Sequence, residues 1–144
     1  MYLIAPFIAW ALAQIIKTVI DLITGKELTL ARALGSGGMP SSHSSTVCRL
    51  TAMIAQTQGI GSPLTAMSFI FSLIVMYDAM NVRRETGDQG KMINELIELL
   101  TDMGRDIPVE KKFKELVGHT PLQVFFGALL GVAVGAGYYR IFVQ

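Results

Sequence analysis

Residues 37–45 have the sequence Gly-Gly-Met-Pro-Ser-Ser-His-Ser-Ser, which holds two glycines, a proline, four serines and one of the chain's two histidines. Glycine lets backbone amides approach an anion closely, and Pro40 suits the first position of a helix. The amides of Ser41 to His43 would then point out of the helix start, where a phosphate group binds readily. The stretch predicts either a reaction centre or a helix that is simply capped by serine.

The composition indicates a membrane protein. Only 16% of the 144 residues are charged, against about 25% in an ordinary soluble domain, and the mean hydropathy is +0.49. The net charge of +1 lacks the basic excess of a nucleic-acid-binding protein, so no nucleic-acid partner is expected. A single cysteine, Cys48, excludes an internal disulfide and a multi-cysteine metal site. We expect one membrane-embedded domain over residues 1–144.

Four segments are predicted to form the spans of a membrane protein: residues 2–24, 41–58, 64–77 and 121–143. The first is long enough to cross a bilayer, which needs about 20 residues in a helix. The second is too polar to face lipid on all sides, and we predict it to be the inner helix of a bundle. The predicted fold class is therefore all-α, a polytopic membrane helix bundle of about four transmembrane helices.

One or two amphipathic helices are expected between the third and fourth spans. In residues 87–103, methionine and leucine recur at helical spacing opposite charged side chains. Residues 109–117 show a shorter pattern that begins near Pro108 and is stopped by Gly118. Helices of this kind lie on a membrane surface or against a partner.

Charged residues and glycines inside the spans point to packing contacts. Lys17 and Asp21 share one helical face, where they either line a polar cavity or pair with each other near the interface. For Arg49 we expect a buried ion pair with a neighbouring helix. The last span has a glycine every four residues, which predicts close helix packing, either within the chain or against a second copy in a homo-oligomer: Gly127, Gly131 and Gly135.

Four spans would bring several polar segments to one side of the membrane. The end of the first span, the start of the second, the end of the third and the start of the fourth hold Lys17, residues 37–43, residues 78–84 and His119. The connections on that side also carry most basic residues: Lys26, Arg32, Arg83, Arg84, Lys91, Arg105, Lys111, Lys112 and Lys114. By the positive-inside tendency, we expect the site to face the cytoplasm and both termini to be extracytoplasmic.

An anion-binding pocket with two histidines and no cluster of carboxylates suggests metal-independent phosphoryl transfer, with no cofactor. One imidazole would attack phosphorus and the other would protonate the leaving oxygen. A histidine nucleophile also needs a partner on its other nitrogen, usually a carboxylate. Gln123, one turn beyond His119, is in position for this but is an amide.

Three groups of residues resemble a known family. They are Pro40-Ser41-Ser42-His43; then Tyr77-Asp78-Ala79 with Val82-Arg83-Arg84 and Gly87-Asp88-Gln89; and last Gly118-His119-Thr120-Pro121-Leu122-Gln123-Val124. In combination, these motifs resemble the divergent bacterial and plant branch of the type 2 phosphatidic acid phosphatase superfamily. The resemblance covers nearly the whole chain.

The resemblance implies a role for each residue that matches a motif. His43 would be the general acid and His119 the phosphorylated nucleophile, with Gln123 in the place of the acidic residue that orients it. By the resemblance, Lys17, Arg83 and Arg84 would bind phosphate. Gly38, Ser41 and Ser42, from the loop at residues 37–45, would bind it too. Asp78 would support them. Phe113 stands where the superfamily has a further arginine.

These roles imply a membrane lipid phosphate phosphatase that hydrolyses a phosphomonoester through a phosphohistidine intermediate. A cytoplasmic site favours phosphatidylglycerophosphate or phosphatidic acid as substrate, with undecaprenyl pyrophosphate as a further candidate, in a plasma or plastid-type membrane. The alternative is a catalytically silent or weakly active protein that binds anionic lipid headgroups as a scaffold. Gln123 supports this alternative, because an amide cannot stabilise an imidazolium as a carboxylate does.

Overall fold

The computed structural model describes residues 2, 4–25, 37–105, 112–113, 115 and 117–142. In these ranges the chain forms helices and no strand: α1 (Ile4–Ile23), α2 (Ser42–Gln58), α3 (Pro63–Met80), α4 (Val82–Asp102) and α5 (Pro121–Phe142). The prediction of an all-α membrane bundle is thus confirmed. Four of the basic residues used to orient the chain lie outside the described residues: Lys26, Arg32, Lys111 and Lys114.

Three stretches of the described helices are long and apolar enough to cross a membrane, namely α1, the α3–α4 pair and α5. Their large apolar side chains point outwards, and Phe7 and Ile74 are 69% and 61% exposed. Such a surface suits lipid rather than water. The remaining helix of the bundle, α2, packs against α1, α3 and α5. It is the inner helix that its polar composition predicts.

Small residues let the helices approach α2 closely. Ala9 and Ala13 of α1 are completely buried, and the Ser45 hydroxyl of α2 donates a hydrogen bond to the Ala9 carbonyl at 3.2 Å. On the other side, a Cβ atom at Gly127 or Gly131 would collide with the carbonyl oxygen of Ser41 or Ser45. Gly135 likewise faces Ala52 and Arg49. The glycine face therefore packs on α2 within the chain, so it does not supply the homo-oligomer contact that we considered.

Among the residues that the structure describes, Arg49 does not form the ion pair that its position in α2 predicts. Its side chain is completely buried, and its guanidinium lies over the Tyr138 ring, 4.8 Å from the ring centroid. None of its three nitrogens has a hydrogen-bond partner among the described residues. All eleven Asp and Glu residues of the chain lie at position 21, at position 27 or between positions 78 and 115. The cation–π contact with Tyr138 takes the place of the expected ion pair.

Two helix boundaries differ from the predictions. The amphipathic helix predicted over residues 87–103 begins earlier, at Val82, and follows α3 with only Asn81 between them. Its predicted apolar face is exposed, as at Met92 and Leu99. The shorter helix predicted over residues 109–117 is not found in its described residues, which lie in irregular chain: Lys112, Phe113, Glu115 and Val117.

Candidate active site

The starts of α2 and α5 are joined at one end of the bundle. The Ser41 amide donates a hydrogen bond to the Gln123 carbonyl at 3.0 Å, which connects the residue that caps α2 with the first turn of α5. Because α2 and α5 begin at the same level and pack side by side, each presents its first turn to the same space. This junction brings the two histidines together.

The rings of His43 and His119 face each other across that space. Their centroids are 6.2 Å apart and their planes are inclined at 63°. His43 lies in the first turn of α2, while His119 lies two residues before α5 and is buried. This is an edge-to-face contact, which places both rings at one site.

The backbone of His119 is fixed by α3 and α4. Its N–H donates a hydrogen bond to the Ala79 carbonyl at 2.9 Å. The preceding residue, Gly118, has φ +91°, and a Cβ atom there would lie 2.5 Å from the Arg84 nitrogen. Only glycine meets both conditions, because the backbone approach leaves no space for a side chain and the conformation is left-handed. The chain is thereby held against the junction of α3 and α4.

Gln123 determines the tautomer of His119. Its side-chain oxygen accepts a hydrogen bond from the Thr120 amide at 3.1 Å and lies 3.2 Å from Nδ1 of His119. Since a backbone N–H can only donate, the Gln123 atom at this position is the oxygen. An oxygen acceptor requires the proton of a neutral His119 ring to be on Nδ1. The electron pair is then on Nε2.

The environment of His119 favours its neutral form. Burial, the largest effect, lowers the pKa of His119 below the ordinary histidine value, and the hydrogen bond with Gln123 opposes it in part. The charges of His43 and Lys17 lower it further, whereas the nearby backbone of Gly38 acts in the opposite direction. Nε2 itself is buried and has no hydrogen-bond partner among the described residues. Its electron pair is therefore available for reaction.

The charges of Arg83, Asp78 and Lys17 all reach the His43 ring. Arg83 and Asp78 form an ion pair, with Nε of Arg83 2.6 Å from a carboxylate oxygen of Asp78. The guanidinium is held at one edge only, so its remaining N–H groups can bind an anion. Arg83 and Arg84 are both exposed, and the backbone of both lies close to Gly118. Of the two predicted arginines, Arg83 is the one whose charge acts on His43.

Lys17 reaches the loop between α1 and α2. It is buried at the fourth turn of α1, and its aliphatic stem lies beside Gly38, where a Cβ atom would be 3.2 Å from Cε. Gly38 has φ +82°, a conformation that favours glycine. The two predicted phosphate-binding residues therefore touch, and the Lys17 charge acts on both histidines.

The structure corrects part of the prediction for residues 40–42. Pro40 is not the first helical residue, because Ser41 is the N-cap and α2 begins at Ser42. The Ser41 amide donates to the Gln123 carbonyl, so this amide is not free to bind phosphate, and the Ser41 hydroxyl oxygen accepts hydrogen bonds from the amide and hydroxyl of Ser44. Ser42 and His43, by contrast, are the first two residues of the helix, whose amides have no partner within it.

The sequence analysis missed the residues that support His119 from α4. The buried Asn94 side chain bonds the Phe113 amide and carbonyl at 3.0 Å each, and the Glu115 carboxylate at 2.8 Å. A Cβ atom at Gly87 would lie 2.6 Å from the Glu115 carbonyl. These contacts place Phe113, Glu115 and Val117 against α4, shortly before His119. The signal was a helical stripe of small and polar residues opposite the apolar face, at Gly87, Gly90 and Asn94.

Two comparisons find known sequences that are similar to this chain. The model of the divergent PAP2 family matches residues 1–134. The chain is also similar to an uncharacterized membrane protein, YuiD, of Bacillus subtilis (strain 168), with 40% identity over 139 residues, covering 90% of this chain and 88% of that protein. No solved structure matches the chain.

Proposed function

Because this chain belongs to the divergent PAP2 family, we propose that it is a membrane lipid phosphate phosphatase that acts through a phosphohistidine intermediate. One observation carries the proposal. The rings of His43, in the first turn of α2, and His119, just before α5, lie with their centroids 6.2 Å apart at the polar end of the bundle, and cations surround them. Histidines that served only to fill the bundle would have no reason to meet there.

In the first step, Nε2 of His119 gives its electron pair to phosphorus and forms an N–P bond. The ester P–O bond breaks, and the leaving oxygen takes a proton from the protonated His43 ring. The Gln123 oxygen favours this attack, because it holds the other ring nitrogen of His119 in its protonated form. The alcohol then departs, leaving His43 neutral.

In the second step, water attacks the phosphohistidine. Neutral His43 takes a proton from the water as the N–P bond breaks, and the electron pair returns to Nε2 of His119. Inorganic phosphate leaves, and both rings regain their initial protonation states. The same residue thus acts as acid in the first step and as base in the second.

Positive groups around the histidines would stabilise the charge of the transferring phosphoryl group. Arg83 and Lys17 supply two cations, and the start of α2 supplies the amides of Ser42 and His43. Asp78 would orient the Arg83 guanidinium through their ion pair. In this proposal Arg84 has no direct contact with phosphate.

The substrate we propose is a lipid phosphate of the cytoplasmic leaflet, with phosphatidylglycerophosphate and phosphatidic acid as the first candidates. This follows from the basic connections that flank the site, such as those with Lys91 and Arg105, which by the positive-inside tendency face the cytoplasm. A site at the end of lipid-facing helices suits a substrate that is itself a membrane lipid.

The decisive experiment tests a panel of lipid phosphates with the purified protein in detergent, beside His119→Ala. We expect phosphate release that resists EDTA, is inhibited by vanadate and is abolished in His119→Ala. Gln58→Ala, at the opposite end of α2, serves as the matched control and should retain full activity. Phosphate release that is unchanged in His119→Ala would refute the assignment of the nucleophile.

A second candidate function is a silent membrane protein that holds anionic lipid headgroups. It is favoured by Gln123, since a neutral amide next to Nδ1 cannot stabilise the imidazolium that forms during turnover. Such a protein would bind lipid phosphates through Arg83 and Lys17 without releasing phosphate. Substitution at Gln123 distinguishes the two functions, as set out in the Discussion.

A further inference from the structure

An apolar groove runs between α1 and α5. It has a volume of about 340 Å³ and is lined only by apolar side chains, among them Ile16, Ile20, Met39, Pro40, Leu129 and Ala133. Both helices are candidate membrane spans. Leu129 is 56% exposed, so the groove opens on the outer surface of the bundle, towards the hydrocarbon core of the bilayer.

One end of the groove is made by the loop of the candidate active site. Met39 and Pro40 line it, and in the chain they lie between Gly38, which contacts Lys17, and Ser41, which is bonded to Gln123. On α1, the lining residue Ile16 directly precedes Lys17. The apolar groove and the charged site are thus continuous, with residues 38–41 as their common wall.

A second apolar hollow provides a contrast. It has a volume of about 450 Å³ and is lined by residues of α3 alone: Ala66, Met67, Ile70, Phe71 and Ile74. The last of these residues, Ile74, lies five positions before Ala79, whose carbonyl accepts the hydrogen bond from His119. This hollow has the character of ordinary lipid-facing surface, because none of its lining residues belongs to the site.

We infer that the groove between α1 and α5 binds the hydrocarbon chain of the substrate while its phosphate lies between His43 and His119. The inference rests on the proposed function and adds the route of the substrate to it. An amphiphile whose charged end is at Lys17 and Arg83 must place its apolar end next to residues 38–41, and the groove is the apolar surface there. The lipid would then enter sideways from the leaflet without leaving the membrane.

Photolabelling tests the groove without requiring turnover. The probe is a long-chain alkyl phosphate with a diazirine in the chain, bound to the purified full-length protein, and the labelled peptides are identified by mass spectrometry. We expect labels on Ile16, Ile20, Leu129 and Ala133 that disappear with an excess of the unlabelled alkyl phosphate. Labels on the α3 hollow should not respond to the competitor, as expected for bulk contact. Equal competition at both surfaces, or none at the groove, would overturn the inference.

Substitution gives an independent test with a matched control. Ala133→Trp fills the groove, and Ile70→Trp adds the same side chain to the α3 hollow. The quantity measured is the ratio of kcat/KM for a long-chain alkyl phosphate to that for butyl phosphate. We expect Ala133→Trp to lower this ratio about tenfold or more, because loss of only two or three methylene contacts suffices, while Ile70→Trp leaves it unchanged. An unchanged ratio in Ala133→Trp would contradict the inference.

The two proposals can fail separately. If no ester is hydrolysed by any form of the protein, the proposed function is wrong, and the competition pattern of the photolabels alone decides whether the groove binds the chain. If esters are hydrolysed but the labels do not favour the groove, the proposed function stands and the groove is overturned.

Discussion

Nδ1 of His119 lies 3.2 Å from the side-chain oxygen of Gln123, one helical turn further along the chain. The same oxygen accepts the Thr120 amide, so the contact fixes the His119 tautomer while leaving the ring without a negative neighbour on that side. In the proposed mechanism this pair sets the rate, because orientation and charge stabilisation normally come from one carboxylate.

We expect Gln123→Glu to raise turnover strongly. A carboxylate keeps the acceptor that Nδ1 needs and also stabilises the imidazolium, an effect of about 10² to 10⁴ in rate by analogy with catalytic triads. The measurement is kcat on the best lipid phosphate, with Gln58→Glu as a control for the added charge alone. A gain confined to Gln123→Glu supports the enzyme. If neither wild type nor Gln123→Glu turns over, the headgroup-binding alternative is favoured.

The pH dependence of kcat/KM should reflect the burial of His119. Burial lowers the pKa of His119, so the nucleophile stays neutral at lower pH than a free histidine, whose pKa is about 6.5. Activity should be retained as the pH falls through about 6.5 and be lost only below it. In Gln123→Glu, a carboxylate favours the protonated ring, so the acidic limb should move to higher pH. A limb that moves down in this variant would contradict the contact with Nδ1.

Arg83 and Arg84 should differ in their effect on catalysis. Arg83 pairs with Asp78 and its charge acts on His43, whereas Arg84 contributes its backbone, which packs against Gly118. Arg83→Ala should lower kcat/KM about tenfold to a hundredfold, the loss expected for one charged hydrogen bond. Arg84→Ala is the adjacent control and should change it by less than about threefold, as for an exposed side chain. The reverse order would show that Arg84 binds the phosphate.

The glycine face of α5 should be intolerant of a single added methyl group. A Cβ atom at Gly131 collides with the Ser45 carbonyl, which is rigid backbone, so Gly131→Ala must push α2 and α5 apart. We expect a loss of about 1–3 kcal/mol in stability, as for other overpacked cores. Gly137→Ala on the same helix meets nothing within 4 Å and is the control. The check is thermal unfolding in detergent, and equal melting temperatures would contradict the packing.

The orientation of the chain can be read with reporters. A reporter fused after the last residue should be extracytoplasmic, and one inserted after Gly104 should be cytoplasmic, because the basic connections favour the cytoplasmic side. Paired fusions to alkaline phosphatase and green fluorescent protein distinguish the two sides. A cytoplasmic signal from the C-terminal fusion would reverse the proposed orientation of the site.

Much of this arrangement could be predicted from local patterns. Long apolar runs and a central polar helix predicted the bundle, and the Thr120-Pro121 pair predicted the start of α5, which begins at Pro121. The spacing of the polar segments predicted that His43 and His119 would meet at one end. The helices depend on neighbouring residues in the chain, so periodicity and composition are sufficient to detect them. The meeting of the two histidines then follows from the number of spans.

Contacts between distant segments could not be predicted in the same way. The glycine stripe indicated close packing but not that its partner was α2, and the ion pair expected for Arg49 gave way to Tyr138. Asn94 was not expected to bind Phe113 and Glu115, nor was the Ser41 amide expected to bind Gln123.

The sequence by itself determined the all-α class, the lipid-facing helices and the residue types available at the polar end. The tertiary structure alone decided which donor meets which acceptor there, and so removed the Ser41 amide from the anion-binding groups and brought the charge of Arg83 to bear on His43. The physical reason is competition. Each buried polar group can form only a few hydrogen bonds. Its partners depend on how helices that are far apart in the chain pack together.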